Sequence, residues 1–198
     1  MIAQSSLIFV RHCQSSGQAP DDELTAQGFA DAERLADRLA PLAIDAIYSS
    51  PYARAVQTIQ PFAAVRQLPI NIDFRLRERL LSAEPLDDWL AHIERSFADF
   101  DHRAPGGETL REAQARGLAA IEQVFADGAT RAVVVSHGNL LASLLNRMDP
   151  AFGFAEWKAM PNPALYRVAL QHGVPLAFEP IQTTSLAITF LRAGCSRR

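Results

Sequence analysis

Two short apolar runs from opposite ends of the chain each stop on a histidine. Leu7-Ile8-Phe9-Val10 leads into Arg11-His12, and Ala132-Val133-Val134-Val135 leads into Ser136-His137-Gly138. Both runs are mostly β-branched or aromatic and are bounded by polar residues, the pattern of strands buried on both faces of a parallel sheet. Open α/β sheets bind their ligands in the crevice beyond the carboxyl ends of the strands. The two imidazoles are therefore expected to face each other across one pocket, with Arg11 beside them to attract an anion.

Between and after these runs, strand-like and helix-like segments alternate. Thr25 has the character of an N-cap, and Phe29, Ala32, Ala36 and Leu39 follow at helical spacing up to Pro41. Ala46-Ile47-Tyr48 reads as a second strand closed by Ser49-Ser50-Pro51, with Pro51 opening a helix that carries Arg54, Gln57 and Thr58. Pro61 is expected to kink or restart that helix, because it removes a backbone donor and clashes one turn back. Residues 70–74 form a third strand candidate leading to Leu76-Arg77-Glu78, and helical periodicity covers 83–100 and 108–125, joined by a loop at 102–107. A further helix is expected from Gly138 toward Met148. Strands at 165–170 and 176–181 would be joined by a turn at His172-Gly173, and a last strand is expected at 186–191. This order predicts an α/β three-layer sandwich, with a mostly parallel sheet, an antiparallel strand and helices on both faces.

At 198 residues and 48% apolar composition, one domain over 1–198 can bury a substantial core without disulfides or a structural metal. A net charge of −3 and a pI near 5.9 leave no basic face for a phosphate backbone, so nucleic-acid binding is not expected. The first residues carry no basic group before a run of only four apolar residues, and no long apolar stretch exists, so neither a signal peptide nor a membrane span is expected. Two cysteines, Cys13 and Cys195, make no disulfide framework and suit a reducing cytoplasm.

Two histidines, two arginines and a carboxylate at strand ends suit phosphoryl transfer. Neutral imidazole is a nucleophile that can carry a phosphoryl group, dividing one hard displacement into two easier ones. Arg11 and Arg54 offer planar forks matched to phosphate oxygens, and a protonated His137 would add a third cation. Glu78 can protonate the leaving alkoxide and later activate water. Other readings stand beside these. Arg54 could be a solvated surface residue, and Glu78 could merely pair with Arg77 or Arg79 while Glu84, Asp87 or Glu108 serves as the acid. A metal held by His12, His137 and Glu78 is conceivable, but the flanking arginines would repel it. His92, His102 and His172 carry no motif and read as surface or capping residues.

Six blocks, in order, resemble the histidine phosphatase superfamily, the phosphoglycerate-mutase-like family of branch 1 type. They are Val10-Arg11-His12-Cys13-Gln14-Ser15, Leu24-Thr25-Ala26-Gln27-Gly28, Ser49-Ser50-Pro51-Tyr52-Ala53-Arg54-Ala55-Val56-Gln57-Thr58, Leu76-Arg77-Glu78 with Gly106-Gly107-Glu108-Thr109, and Ser136-His137-Gly138. The resemblance implies that His12 is the phosphorylated nucleophile and Glu78 the proton donor. It implies that Arg11, Arg54 and His137 hold the phosphate, with Gln18 and Gly138 as further contacts, and that residues 79–107 form a cap over the site. The departures are Cys13 in place of Gly, Gln18 in place of Asn, Asp31 in place of Gln and Asn139 in place of Gly.

The expected activity is that of a metal-independent phosphomonoesterase, without a cofactor, acting on a small phosphorylated metabolite. A cofactor-dependent phosphoglycerate mutase and an inactive phospho-ligand binding module are the alternatives. Mutases of the family follow the acid with an Arg-x-Tyr-Gly segment and a longer insertion. Here Arg79-Leu80-Leu81-Ser82-Ala83-Glu84 has no Tyr-Gly, which favours hydrolysis. Cys13 is open to two readings: a reactive thiolate in an electropositive pocket, or a small buried residue standing in for glycine.

Overall fold

The computed structural model describes residues 6–171 and 174–181. The chain runs β1 (Ser6–Arg11), α1 (Ala26–Leu39), β2 (Ala46–Ser49), α2 (Ala53–Arg66), β3 (Ile70–Ile72) and a 3-10 turn (Phe74–Leu76). It continues through α3 (Trp89–Ala98), α4 (Leu110–Ala126), β4 (Arg131–Ser136), α5 (Gly138–Met148), α6 (Phe154–Ala159), β5 (Ala164–Gln171) and β6 (Val174–Pro180). Among the described residues, six strands form one sheet in the order β3-β2-β4-β1-β5-β6. The first four in that order are parallel, β5 is antiparallel to β1, and β6 is antiparallel to β5.

Both faces of the sheet are covered, and the alternation of side chains along each strand explains how. Leu7 and Phe9 of β1 and Val134 of β4 pack with Ile121 of α4 and Leu140 and Leu144 of α5. Ile8, Val10, Val133 and Val135 point the other way, into a cluster with Leu35 and Leu39 of α1 and Ile59 and Phe62 of α2. Successive residues of a strand face opposite sides, so a continuous apolar run is what a sheet buried between two helical layers requires. The expected mostly parallel three-layer architecture is therefore present.

Some local expectations needed correction. Helix α2 passes through Pro61 without restarting. Proline in a helix interior costs about 3 kcal/mol, but buried residues on both sides of it, Thr58 and Ile59 before and Phe62 and Ala63 after, tie the two halves into one core. Phe29, expected on the buried stripe of α1, is 44% exposed, and Leu35 takes its place inside. The strand expected at 70–74 ends at Ile72, where Asp73 accepts a hydrogen bond from the Arg75 N–H and starts the 3-10 turn. Helix α3 begins only at Trp89, and the short helix α6 had no periodicity long enough to reveal it. The expected turn at His172-Gly173 and the strand at 186–191 lie outside the described residues, as does Cys195.

The two ends of the segment 79–107 are joined by a backbone clasp. The Glu108 N–H donates to the Leu80 carbonyl at 2.7 Å, and the Ala83 N–H donates to that of Pro105 at 3.1 Å. Gly107 is required there: a Cβ on it would lie 2.0 Å from the Leu81 carbonyl oxygen, well inside van der Waals contact.

Candidate active site

The parallel register sets the level of the two histidines. Arg11 stands beside Ser136 in the β1–β4 ladder, and the His12 N–H still reaches the Ser136 carbonyl at 3.0 Å. His12 and His137 thus leave adjacent strands at the same height, with ring centroids 5.1 Å apart and planes at 60°. Ser49 of β2 pairs with Val135, and the Ser50 N–H donates to the Val135 carbonyl. A third strand end therefore delivers Ser50 to the same level.

His12 is buried, and its protonation state follows from its partners. Its Nδ1 lies 2.6 Å from the Cys13 carbonyl oxygen, which can only accept, so Nδ1 carries the proton. Nε2 keeps the lone pair, which accepts a hydrogen bond from the Arg54 Nε–H at 3.2 Å, a donor that an incoming phosphoryl group would have to take over. Burial lowers the His12 pKa to about 3, outweighing the hydrogen bond to Cys13, and Arg54 and Arg11 push in the same direction as burial. His12 is consequently a neutral imidazole with one nitrogen available for chemistry.

Arg54 is no surface residue. It is 1% exposed, lies on the first turn of α2, stacks on Tyr52 at 4.9 Å and donates through Nη1 to the carbonyls of Gln18 and Ala19. Arg11 donates through Nη1 to the Met160 carbonyl, and its Nε has no hydrogen-bond partner among the described residues. Burial lowers the pKa of both guanidinium groups, and the nearby Glu78 carboxylate opposes this in each case. Gly138 permits the approach of Arg11, because a Cβ there would sit 3.3 Å from its Cζ and 3.1 Å from Trp157 Nε1.

Glu78 is seated at the N-terminus of α5, next to His137. Its Oε1 accepts from the Arg79 and Leu140 N–H groups at 2.8 and 3.1 Å, and its Oε2 from the Asn139 N–H at 3.1 Å. Unpaired N–H groups at a helix start attract carboxylates in this way. Among the described residues Glu78 forms no ion pair with Arg77 or Arg79; Arg79 binds it only through its backbone. The rival Glu108 is engaged by Arg116 at 2.7 and 2.8 Å, and Glu84 and Asp87 are exposed. Arg116 also donates to the carbonyls of Arg75, Arg77 and Glu78. It therefore clamps the segment that presents the carboxylate, a role that no motif signalled.

Several other expectations change. Burial holds the His137 pKa well below its ordinary value, with His12 and three arginines adding to the effect, so His137 is neutral in this site and not a third cation. Gln18 has an exposed side chain, and it is the Gln18 backbone carbonyl that meets Arg54. Cys13 is fully buried against Leu24 and Ala32, and its N–H donates to Thr58. Burial pushes its thiol up to about 12, which removes the reactive-thiolate reading. His92 and His102 bond to each other, Nδ1 to Nε2 at 2.9 Å, in a stacked pair. Ser50, Tyr52 and Asn162, whose Nδ2 donates to the His12 carbonyl, complete the surroundings of the site. Ser50 is a fixed position of a recognised block to which the sequence assigned no role, and Tyr52 is one of that block's spacer residues.

Two buried neutral histidines make stability depend on pH. In the unfolded chain both protonate below about pH 6.5, whereas folded His12 stays neutral down to about 3. The unfolded state then binds more protons, so this contribution is fully present above pH 6.5 and is lost as pH falls. The slope is about 1 kcal/mol per pH unit for each histidine. Urea unfolding at pH 7, 6 and 5 should show this decline, and it should be shallower in His12→Gln. An equal slope in the variant would show that His12 protonates freely in the folded state.

No helix among the described residues is long and apolar enough to cross a membrane. The histidine phosphatase superfamily (branch 1) matches residues 7–177. A 2,3-bisphosphoglycerate-dependent phosphoglycerate mutase from Afipia carboxidovorans is 31% identical over 190 residues, covering 82% of this chain and 91% of the relative. Among solved structures, mycobacterial glucosyl-3-phosphoglycerate phosphatase in complex with inorganic phosphate superposes with a TM-score of 0.71 at 23% identity, over 90% of this chain and 96% of that one. The α-ribazole phosphatase from Shigella flexneri gives 0.67 at 20% identity, over 87% and 94%. With all six sequence blocks inside the matched span and the family's fold around them, the chain belongs to branch 1 of the histidine phosphatase superfamily.

Proposed function

We propose that the protein is a metal-independent phosphomonoesterase that hydrolyses a small phosphorylated metabolite through a phosphohistidine on His12. The observation that carries this reading is the fixed tautomer of His12, whose Nδ1–H is committed to the Cys13 carbonyl while Nε2 keeps its lone pair beside Arg54. In the first step Nε2 bonds to phosphorus as the ester P–O bond breaks, and Glu78 gives its proton to the departing oxygen. In the second, Glu78 takes a proton from water as that water attacks phosphorus, releasing inorganic phosphate and restoring His12. Arg11, Arg54 and His137 hold the equatorial oxygens, with Gly138 keeping the approach open. Residues 79–107 serve as the cap; they leave Leu80 and Trp89 exposed and carry Arg79, Arg95 and Arg103 among more numerous carboxylates.

Mutase activity is the second reading, supported by the mutase relative that is 31% identical over most of the chain. A mutase must shield its phosphohistidine from water while the substrate turns over in the site. The segment Arg79 to Glu84 lacks the Tyr-Gly element of that pattern, and hydrolysis is favoured. The deciding assay measures phosphate release from a panel of phosphomonoesters alongside interconversion of 2- and 3-phosphoglycerate with added 2,3-bisphosphoglycerate. Phosphate release that survives a chelator and is inhibited by vanadate is the expected result. Rapid phosphoglycerate interconversion with negligible phosphate release would give the site to the mutase, and activity lost to a chelator and restored by zinc or magnesium would sink the metal-independent mechanism.

A further inference from the structure

We propose that Ser50 is a positioning residue that sets the tautomer of His137, holding its proton on Nδ1 so that the neutral ring donates to the phosphoryl group. The proposal rests on the reading of His137 as a phosphoryl ligand. Its basis is a count of donors and acceptors in a sealed place. Ser50 and His137 are both 0% exposed, and Ser50 Oγ lies 2.7 Å from His137 Nε2. The Tyr52 N–H already donates to that same Oγ at 3.3 Å. His137 Nδ1 is buried with no hydrogen-bond partner among the described residues.

A hydroxyl has one proton to give and two lone pairs to receive with. If Nε2 carried the proton, Oγ would receive two donors while its own proton had no acceptor, and the Nδ1 lone pair would be the group left to meet an anion. Both outcomes are unfavourable, since a buried polar group without a partner loses its hydration with nothing in return. If Nδ1 carries the proton instead, Oγ–H donates to Nε2, Oγ accepts from Tyr52, and the one group left over is an N–H donor. A donor without a partner beside two arginines is what an incoming phosphoryl oxygen would satisfy. Burial keeps the ring neutral, so the position of its single proton decides whether it attracts or repels that oxygen. Tyr52 packs edge-on against the ring at 4.9 Å and helps to hold its plane.

The test combines nitrogen NMR with kinetics. Long-range proton–nitrogen correlation on protein labelled with 15N-histidine, with the His137 signals assigned by comparison with His137→Gln, should show wild-type His137 protonated at Nδ1 and bare at Nε2. In Ser50→Ala that preference should be lost and kcat/KM should fall about 10- to 100-fold, the range expected for losing one oriented donor to the transition state. Ser50→Thr, which keeps the hydroxyl, should restore both. The resting-state spectrum requires no turnover and no variant of Ser50, so misfolding of Ser50→Ala leaves the test intact. A wild-type His137 protonated at Nε2 in an active phosphatase overturns this inference alone. An inactive protein with the proton on Nδ1 overturns the hydrolase reading and keeps the tautomer assignment. Unchanged tautomer and unchanged kcat/KM in Ser50→Ala would also overturn it, because Ser50 would then only pack.

Discussion

His12→Ala should reduce kcat/KM for phosphomonoesters by about 10⁴-fold or more, as expected when a covalent nucleophile is removed, and should leave no phosphorylated protein. In the wild type, brief exposure to a labelled phosphomonoester followed by an alkaline quench should trap an adduct that is stable to base and labile to acid. The variant should fold, because His12 sits just beyond the carboxyl end of β1 and belongs to neither apolar cluster. Anion binding should change far less than turnover. The His12 imidazole is neutral at any working pH, given its pKa of about 3, so its removal leaves the charge of Arg11 and Arg54 in place. Phosphate or vanadate affinity measured by titration calorimetry should therefore remain within an order of magnitude of wild type. A variant that still forms the adduct and turns over normally would move the nucleophile elsewhere, and His137 would be the first residue to examine.

The layout of the site was largely legible in the sequence, and the residues themselves show why. His12, Arg54, Glu78 and His137 are placed by strand ends and helix starts, which hydrophobic periodicity and turn residues mark well. The protonation states were not legible. They depend on a carbonyl from Cys13, a hydroxyl from Ser50 and the dryness of the pocket, all products of tertiary packing. The same limit explains Cys13: adjacency to Arg11 and His12 suggested an acidic thiol, but its side chain turns into the Leu24–Ala32 cluster, where desolvation dominates. Arg116 escaped notice because its work is to gather backbone carbonyls from residues 75–78, and carbonyl positions leave no trace in side-chain identity. Helix α2 continues through Pro61 because the core on both sides of the proline outweighs local propensity.

Glu78→Gln should lower kcat/KM for alkyl phosphates by about 10²- to 10⁴-fold, the range of general acid–base catalysis. The loss should be much smaller for aryl phosphates whose phenol is acidic, because such a leaving group departs as its anion without needing a proton. That difference separates proton transfer from simple disturbance of the site. Disturbance is a real concern, since both carboxylate oxygens accept backbone N–H groups, and the amide nitrogen of Gln would confront the Arg79, Leu140 or Asn139 donors with a donor of its own. A distorted site would slow both substrate classes alike. Glu78→Asp provides the companion measurement: it keeps an acceptor-only carboxylate for the helix start and withdraws it by one methylene, so it should retain more activity on alkyl phosphates than Gln does. Charge gives a further readout. Removing the carboxylate that opposes Arg11 and Arg54 leaves the pocket more positive, so vanadate should bind Glu78→Gln at least as tightly as wild type even as turnover collapses. Equal losses for alkyl and aryl substrates, together with weakened vanadate binding, would show that Glu78 holds the site in shape and that the proton comes from another group.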